Sequence, residues 1–175
     1  MVLSMKNIIL IGMPGCGKST VGVLLAKTLG LGFTDTDLLI QRQQKSTLQK
    51  LIDTYGLDKF REYEELALQS VDETSDTVIA TGGSAVYCQN GMAKLREKGI
   101  CLYLELPVKE LERRLRNIKT RGIACRKGES LEEIFAQREP LYKRYADITL
   151  KCTGASVEET VERASELIRG VGSDC

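Results

Sequence analysis

The sequence predicts an α/β protein of the P-loop class: a three-layer α/β/α sandwich with a central five-stranded parallel sheet. Apolar strand-like runs alternate with amphipathic helical segments along the chain. A glycine-rich phosphate-binding pattern joins the first strand to the first helix, and polar or glycine-containing segments follow two later strands. Such alternation is typical of parallel sheets with helices on both faces, whose ligands bind beyond the carboxyl ends of the strands.

The individual elements follow from apolar periodicity. Strands are predicted at residues 7–11, 32–34, 77–80, 100–104 and 147–150. Helices are predicted at residues 18–29, 38–44, 47–55, 57–74, 92–97, 108–117, 131–145 and 157–168. Residues 117–130 lack periodicity, are basic and contain two glycines, so we predict a mobile lid there and not a domain boundary. We expect one domain over residues 1–175.

Residues 12–19 read G-M-P-G-C-G-K-S, which matches the P-loop pattern G-x-x-x-x-G-K-[ST]. The motif contains three glycines, Gly12, Gly15 and Gly17. Glycine allows the backbone to turn its amides toward phosphate oxygens. Lys18 is expected to reach the β- and γ-phosphates, and the Ser19 hydroxyl to bind Mg²⁺. The alternative is a glycine-rich turn with an incidental lysine. The strand before the motif and the helix after it favour binding of a nucleoside triphosphate.

The composition fits an ordinary globular domain. The chain has 175 residues, of which 42% are hydrophobic and 28% are charged, and its net charge is +1. We therefore expect no nucleic-acid partner, and the lack of an apolar run of about 18 residues predicts no membrane span. Six cysteines without a C-x-x-C pair indicate free thiols in a cytoplasmic protein. We expect a monomer.

Asp35 and Asp37 follow the second predicted strand as D-T-D. One carboxylate could face a metal ion and the other a substrate hydroxyl. The alternative is a helix start, because aspartate is a common N-cap, and both hold if Asp37 caps the helix that begins near Leu38. The chain contains no histidine, so a general base must be a carboxylate, lysine, tyrosine or cysteine, and Asp37 is the best placed.

Three further segments carry candidate ligand-binding groups. The T-G-G-S sequence at residues 81–84 could let the backbone approach a ligand closely, or could be a simple strand-to-helix turn. Arg61 and Glu64 share a helix face, so they could form a surface ion pair, or Glu64 could orient Arg61 toward an anionic substrate. Arg138 could be a surface arginine or a second anion-binding group.

Taken in order, these segments resemble those of the shikimate kinases, small P-loop enzymes of aromatic amino-acid biosynthesis. The resemblance extends over roughly residues 6–168. It rests on G-M-P-G-C-G-K-S-T, D-T-D, F-R-E-Y-E, T-G-G-S, Y-L-E-L-P, T-R-G and R-E-P-L-Y-K-R-Y-A-D. It implies a nucleoside-monophosphate-kinase-like fold and the transfer of the γ-phosphoryl group of ATP to a hydroxyl of shikimate, with Mg²⁺ as the metal.

The resemblance also implies roles for individual residues. Nucleotide binding is assigned to Gly12, Gly15, Cys16, Gly17, Lys18, Ser19, Thr20, Arg114 and Arg121, of which Arg114 flanks adenine. Substrate binding is assigned to Asp37, Arg61, Gly82, Gly83, Ser84 and Arg138, with both arginines on the carboxylate. The catalytic residues are Lys18, Asp37 and Arg121, and Ser19 and Asp35 lie near Mg²⁺. The acceptor-binding helical region spans about residues 36–74.

The chain departs from the family pattern at two positions. Ser84 stands where the family has a third glycine; it lacks the freedom of glycine at positive φ and adds a hydroxyl near the substrate. Gly122 replaces the proline that follows the lid arginine, which predicts a more mobile lid. The alternatives are a P-loop kinase of another small carboxylate-bearing alcohol or of a nucleoside monophosphate, and a non-catalytic nucleotide-binding module.

Overall fold

The computed structural model describes residues 6–71, 76–116 and 123–172. Within them, five strands form one sheet: β1 (Asn7–Ile11), β2 (Gly32–Asp35), β3 (Thr77–Ala80), β4 (Gly99–Glu105) and β5 (Ile148–Lys151). Their order across the sheet is β2-β3-β1-β4-β5, and all neighbouring strands are parallel. The predicted parallel sheet is confirmed, and the strand boundaries differ from the predicted ones by one residue at most.

Seven α-helices lie within the described residues. They are α1 (Lys18–Leu29), α2 (Thr36–Gln44), α3 (Leu48–Ser70), α4 (Gln89–Glu97), α5 (Val108–Arg116), α6 (Leu131–Tyr145) and α7 (Val157–Gly172). The chain runs in one direction across the sheet from β1 to β2 and in the other direction afterwards. Since parallel crossovers are right-handed, this reversal puts α1 on the opposite face from the later crossover helices. Helix α7 packs against α1.

The position of β1 at the centre of the sheet explains the uninterrupted apolar run near the start of the sequence. All five residues of β1 are buried, because helices cover both faces of the sheet and neighbouring strands cover both edges of β1. Ile9 is in register with Ile79 of β3 on one side and with Cys101 of β4 on the other. This rigid strand carries the P-loop at its carboxyl end.

Helix α3 contains the break that the sequence predicts between residues 55 and 57. Gly56 has φ 81° and ψ 171°, which is not helical, although the helical run continues on both sides. The Thr47 hydroxyl caps the start of α3 by accepting a hydrogen bond from the Lys50 amide. The break lets the second half of α3 turn its buried face, which includes Phe60 and Glu64, toward the carboxyl ends of the strands.

The carboxyl ends of β1, β2 and β3 meet at one edge of the sheet. The P-loop follows β1, Asp35 ends β2, and Thr81 follows β3. The topology therefore brings together the segments that the sequence marks as candidate ligand-binding groups. Among the described residues, no helix is both long and apolar enough to cross a membrane.

Candidate active site

A cavity of about 340 Å³ opens at this edge of the sheet. Its lining comes from the P-loop, Asp35, the first two turns of α2, the start and middle of α3, residues 81–84, Ile123, Ala124 and α6. Ten residues to which the sequence analysis assigns a binding or catalytic role line it: Gly15, Gly17, Lys18, Ser19, Asp35, Asp37, Gly82, Gly83, Ser84 and Arg138. Segments that are far apart in the sequence thus surround a single space.

The P-loop glycines adopt the left-handed conformations that the motif predicts, with φ of 145° at Gly12, 84° at Gly15 and 101° at Gly17. The Lys18 ammonium lies across the loop and donates hydrogen bonds to the Gly12 carbonyl at 2.7 Å and the Met13 carbonyl at 2.9 Å. The Lys18 side chain is almost fully buried. A positive charge is therefore held in place beside the amides at the start of α1, as phosphate binding requires.

The other predicted nucleotide-binding residues lie around this loop. The Cys16 side chain is buried, with its sulfur 3.6 Å from Lys18 Nζ, so only its backbone can meet a phosphate. Thr20 is exposed in the first turn of α1. The Arg114 guanidinium approaches the Cys16 carbonyl at 3.5 Å and donates to Glu110 at 2.9 Å. Arg114 thus lies beside the loop but outside the cavity lining.

Asp35 links the P-loop to helix α2. One carboxylate oxygen accepts a hydrogen bond from the Ser19 hydroxyl at 2.7 Å. The other accepts from the amides of Asp37 at 2.9 Å and Leu38 at 3.2 Å, which makes Asp35 the N-cap of α2. The expectation that Asp37 caps this helix was wrong, because the helix begins two residues before Leu38, at Thr36, and Asp37 lies in its first turn.

The donor set around Ser19 and Asp35 is compatible with Mg²⁺. Both offer oxygen atoms, and they lie 2.7 Å apart on the P-loop side of the cavity. In the described ranges, no group of three His, Cys, Asp or Glu residues could hold a metal ion alone. Mg²⁺ does not need such a group, because in phosphoryl-transfer sites it takes one or two protein oxygens, substrate phosphates and water.

The glycine turn, residues 81–84, has no room for side chains at its two glycines. A Cβ atom at Gly82 would lie 2.7 Å from carboxylate oxygens of both Asp37 and Glu64. A Cβ atom at Gly83 would lie 2.6 Å from the Pro14 ring of the P-loop. Neither glycine has a positive φ. Glycine is required here because protein side chains pack closely against the turn, and not for an unusual backbone conformation. The predicted close approach to a ligand stays a prediction.

Ser84 corrects one expectation about this turn. Its φ of −93° and ψ of −4° are right-handed and suit any residue, so replacing glycine costs no positive-φ freedom. The Ser84 side chain is buried, and its hydroxyl donates a hydrogen bond to Glu64 Oε2 at 2.6 Å. The added hydroxyl is therefore directed at a protein carboxylate.

Glu64 is a buried acid, 1% exposed, which excludes the alternative of a surface ion pair with Arg61. Burial is the main cause that raises its pKa to about 7; the Ser84 hydrogen bond lowers it, the Asp37 charge raises it, and the charges of Arg138 and Arg61 lower it. Its second oxygen, Oε1, has no hydrogen-bond partner. Glu64 and Arg61 form no ion pair in the part of the chain that the structure describes.

The two predicted anion-binding arginines differ in position. Arg138 is 2% exposed and lines the cavity, which excludes a surface role. Its Nη2 donates to the Ala124 carbonyl, while its Nε and Nη1 have no hydrogen-bond partner. Arg61 does not line the cavity; its guanidinium lies 4.6 Å from the centre of the Tyr87 ring, and its buried Nε is also unpartnered. Arg138 therefore presents unsatisfied N–H groups at the site.

Tyr142 is a site residue that the sequence reasoning missed. Its hydroxyl donates to the Gly83 carbonyl at 2.6 Å and lies 3.7 Å from the sulfur of Met13. Burial raises the pKa of Tyr142, so it stays protonated as a donor. Tyr142 lies one helical turn after Arg138, so their spacing in the sequence could have placed both on the same face of α6.

The predicted lid can be located only in part. Arg121 and Gly122 lie outside the described residues, and so does the rest of residues 117–122. The described portion begins with Ile123 and Ala124, both of which line the cavity. This portion contacts the site through the Ala124 carbonyl, which accepts the hydrogen bond from Arg138.

Comparison with known proteins places the chain in a family. The sequence model described as "Shikimate kinase" matches residues 14–169. The chain belongs to the shikimate kinase family. The shikimate kinase of Geobacter sulfurreducens is 34% identical over 166 residues, which cover 94% of this chain and 91% of that protein. The shikimate kinase of Francisella tularensis subsp. novicida is 36% identical, with 93% and 94% covered.

Solved structures agree with this family membership. The shikimate kinase of Acinetobacter baumannii, determined in complex with shikimate, has a TM-score of 0.88, with 30% identity and coverage of 95% and 94% of the two chains. The shikimate kinase of Aquifex aeolicus has a TM-score of 0.81, with 27% identity and coverage of 95% and 98%. A gluconokinase from Sinorhizobium meliloti, 14% identical with a TM-score of 0.55, shares the fold alone. The shikimate kinase family uses ATP.

Proposed function

We propose that this chain transfers the γ-phosphoryl group of ATP to a hydroxyl of shikimate, giving shikimate 3-phosphate and ADP. One observation carries the proposal: Lys18, Asp37 and Arg138 line the same cavity. A phosphate-binding ammonium, a carboxylate and a buried guanidinium with unpartnered N–H groups therefore surround one space. Membership of the shikimate kinase family supports the identity of both substrates.

On the nucleotide side, the P-loop amides and Lys18 bind the phosphates of ATP, with Cys16 contributing only its backbone. Arg114 lies beside the loop, where it can contact the rest of the nucleotide. Ser19 and Asp35 hold Mg²⁺, which neutralises charge on the phosphate oxygens when it is bound. Since Lys18 is already fixed by two carbonyls, little reorganisation is needed when the triphosphate binds.

On the acceptor side, Asp37 accepts a hydrogen bond from the attacking hydroxyl and takes its proton late in the transfer. Arg138 binds the carboxylate of shikimate through Nε and Nη1. Arg61, whose guanidinium lies 4.6 Å from the centre of the Tyr87 ring, is the second arginine on this carboxylate. Gly82 and Gly83 let the ring of the substrate lie against the backbone of the glycine turn. Within the predicted acceptor-binding region, residues 37–64 supply most of the helical wall of this half of the site.

Residues 117–130 act as a lid that closes over both substrates. Arg121 then reaches the transferring phosphoryl group, and closure excludes water that would hydrolyse ATP. The contact between Ala124 and Arg138 supports this role, because it joins the described part of this segment to the acceptor side. We further propose a cytoplasmic monomer without nucleic-acid partners, in keeping with a net charge of +1.

An ADP-release assay over a panel of acceptors tests the function. We expect turnover with shikimate and ATP that requires Mg²⁺, and only background ADP release with gluconate or a nucleoside monophosphate. Turnover with gluconate in place of shikimate would reassign the acceptor. ATP binding without ADP release for any acceptor would instead indicate a non-catalytic nucleotide-binding protein.

A further inference from the structure

The ring of Tyr87 lies close to both arginines of the acceptor side. The guanidinium carbon of Arg61 is 4.6 Å from the centre of this ring, and that of Arg138 is 5.7 Å from it. Both distances fall within the about 6 Å at which the face of an aromatic ring attracts a cation. Arg61 belongs to α3 and Arg138 to α6, so a single side chain contacts charges from two helices.

The backbone that carries this ring is well anchored. A short 3₁₀ helix (Ala85–Tyr87) follows the glycine turn and packs against both α3 and α6. The Tyr87 amide donates a hydrogen bond to the Ser84 carbonyl at 2.9 Å. Val86 and Cys88, on either side of Tyr87, are buried, whereas Tyr87 itself is half-buried. The ring is therefore held between the two helices that supply the arginines.

The ring counteracts the repulsion between the two guanidiniums. Like charges that lie near each other repel, and the electron-rich face of an aromatic ring attracts each of them. The Glu64 carboxylate adds to this attraction, because the charges of Arg138 and Arg61 both lower its pKa. Glu64 thus supplies negative charge, while Tyr87 supplies a flat surface that limits where the guanidiniums can lie.

We propose that Tyr87 is a positioning residue whose ring holds the guanidiniums of Arg61 and Arg138 in place as a preformed binding site for the carboxylate of the acceptor. This inference rests on the acceptor site proposed above. Tyr87 does not line the cavity, so it acts through the two arginines and not by touching the acceptor. Loss of the ring should therefore lower the affinity for the acceptor, because binding must then order both side chains, and should leave the chemical step unchanged.

Calorimetric binding and steady-state kinetics of wild type, Y87L, Y87F and Y55L test the proposal. We expect Y87L to raise the Kd and the KM for shikimate about fivefold, with kcat and the KM for ATP within about twofold of wild type. Y87F removes the hydroxyl but keeps the ring, so its KM for shikimate should stay within about twofold of wild type. Y55L removes an exposed aromatic ring elsewhere on α3 and is the matched control. Y87M is the second ring-free variant in case Y87L does not fold.

Two kinetic outcomes would overturn the proposal. An unchanged KM for shikimate in Y87L would mean that the arginines keep their positions without the ring. An equal rise in Y87L and Y87F would assign the effect to the hydroxyl and not to the ring.

A readout without substrate separates this proposal from the proposed function. In ¹⁵N-labelled protein, the relaxation of the Nε signals of Arg61 and Arg138 reports the motion of each guanidinium on the picosecond-to-nanosecond timescale. We expect Arg61, which lies nearer the ring, to become more mobile in Y87L and to remain as in wild type in Y87F. This result would support the role of the ring even if shikimate were not the acceptor. Unchanged relaxation in Y87L would contradict that role even if shikimate were phosphorylated.

Discussion

The phosphate side of the cavity, residues 12–19 with Asp35, is built mainly from consecutive residues and their backbone. Its glycines, its amides and Lys18 come from one loop between β1 and α1. The acceptor side, formed by Glu64, residues 82–84 and Arg138, is built from side chains on α3, the glycine turn and α6. Tyr142 joins this side to the fold through a hydrogen bond between residues 59 positions apart.

This difference predicts which kinetic constant a substitution in each half of the site should change. The phosphate side depends on backbone conformations that a short sequence specifies, so a loss there should affect the chemistry directly. The acceptor side depends on how three segments pack, and a change in one side chain can release its neighbours. We therefore expect substitutions on the phosphate side to act on kcat, and substitutions in the packed acceptor side to act on KM and stability.

Asp37 lies between the two sides, and its substitution should cause the largest loss of turnover. Asp37→Asn keeps the shape of the side chain but removes the proposed base, so we expect kcat to fall about 10³-fold with little change in the KM for shikimate. Asp58→Asn, at an exposed position of α3, is the matched control and should retain wild-type turnover. If the substitution raised KM and left kcat intact, Asp37 would be a binding group.

Lys18 tests the phosphate side alone. Lys18→Met removes the ammonium that spans the loop between the Gly12 and Met13 carbonyls, and we expect kcat to fall at least about 100-fold. Lys27→Met, at an exposed position in the last turn of the same helix, is the control. Turnover close to wild type in Lys18→Met would remove the P-loop lysine from the mechanism.

Glu64 tests the electrostatics of the acceptor side through the free energy of unfolding. Its pKa rises from an ordinary value of 4.5 to about 7 in the folded protein. The folded state therefore holds this proton more tightly than the unfolded chain. The resulting stabilisation is complete below pH 4.5 and is lost as the pH rises through 7. The shift corresponds to about 3 kcal/mol.

Urea unfolding of wild type and Glu64→Gln at pH 5 and pH 8 measures this contribution. Wild type should lose about 3 kcal/mol more than Glu64→Gln between the two pH values, because the other carboxylates are common to both proteins. Glu62→Gln, at an exposed position of the same helix, should behave like wild type. Parallel pH profiles for wild type and Glu64→Gln would show that Glu64 ionises normally.

Substitution of Tyr142 should give the smallest effect on activity and stability, and Tyr103 is a closely matched control. Their rings stack at 5.2 Å and both are buried, but only the Tyr142 hydroxyl has a hydrogen-bond partner, the Gly83 carbonyl. Tyr142→Phe should lower the free energy of unfolding by about 1 kcal/mol and raise the KM for shikimate a few-fold. Tyr103→Phe should leave both quantities unchanged or improve stability slightly. Equal effects of the two substitutions would contradict a role for the Gly83 contact.

Much of the fold could be predicted because it depends on local pattern. The apolar run of β1, the glycines of the P-loop and the break at Gly56 are each determined within a few residues. The paired glycines at positions 82 and 83 were predicted to let a ligand approach, whereas the structure shows that Asp37, Glu64 and Pro14 pack against them. Asp35 is an intermediate case: its place at the site was predicted, but its role as the helix cap was assigned to Asp37.

The sequence by itself determined the order of strands and helices, the phosphate-binding loop and the set of charged residues near it, because periodicity and glycine positions act over short distances. Only the tertiary structure decided that Ser84 donates to Glu64, that Arg138 is buried with unpartnered N–H groups, and that Tyr142 reaches Gly83. Those contacts join residues that are distant in the chain. The direction of each side chain depends on the packing of α3, α6 and the glycine turn against one another, which no local pattern specifies.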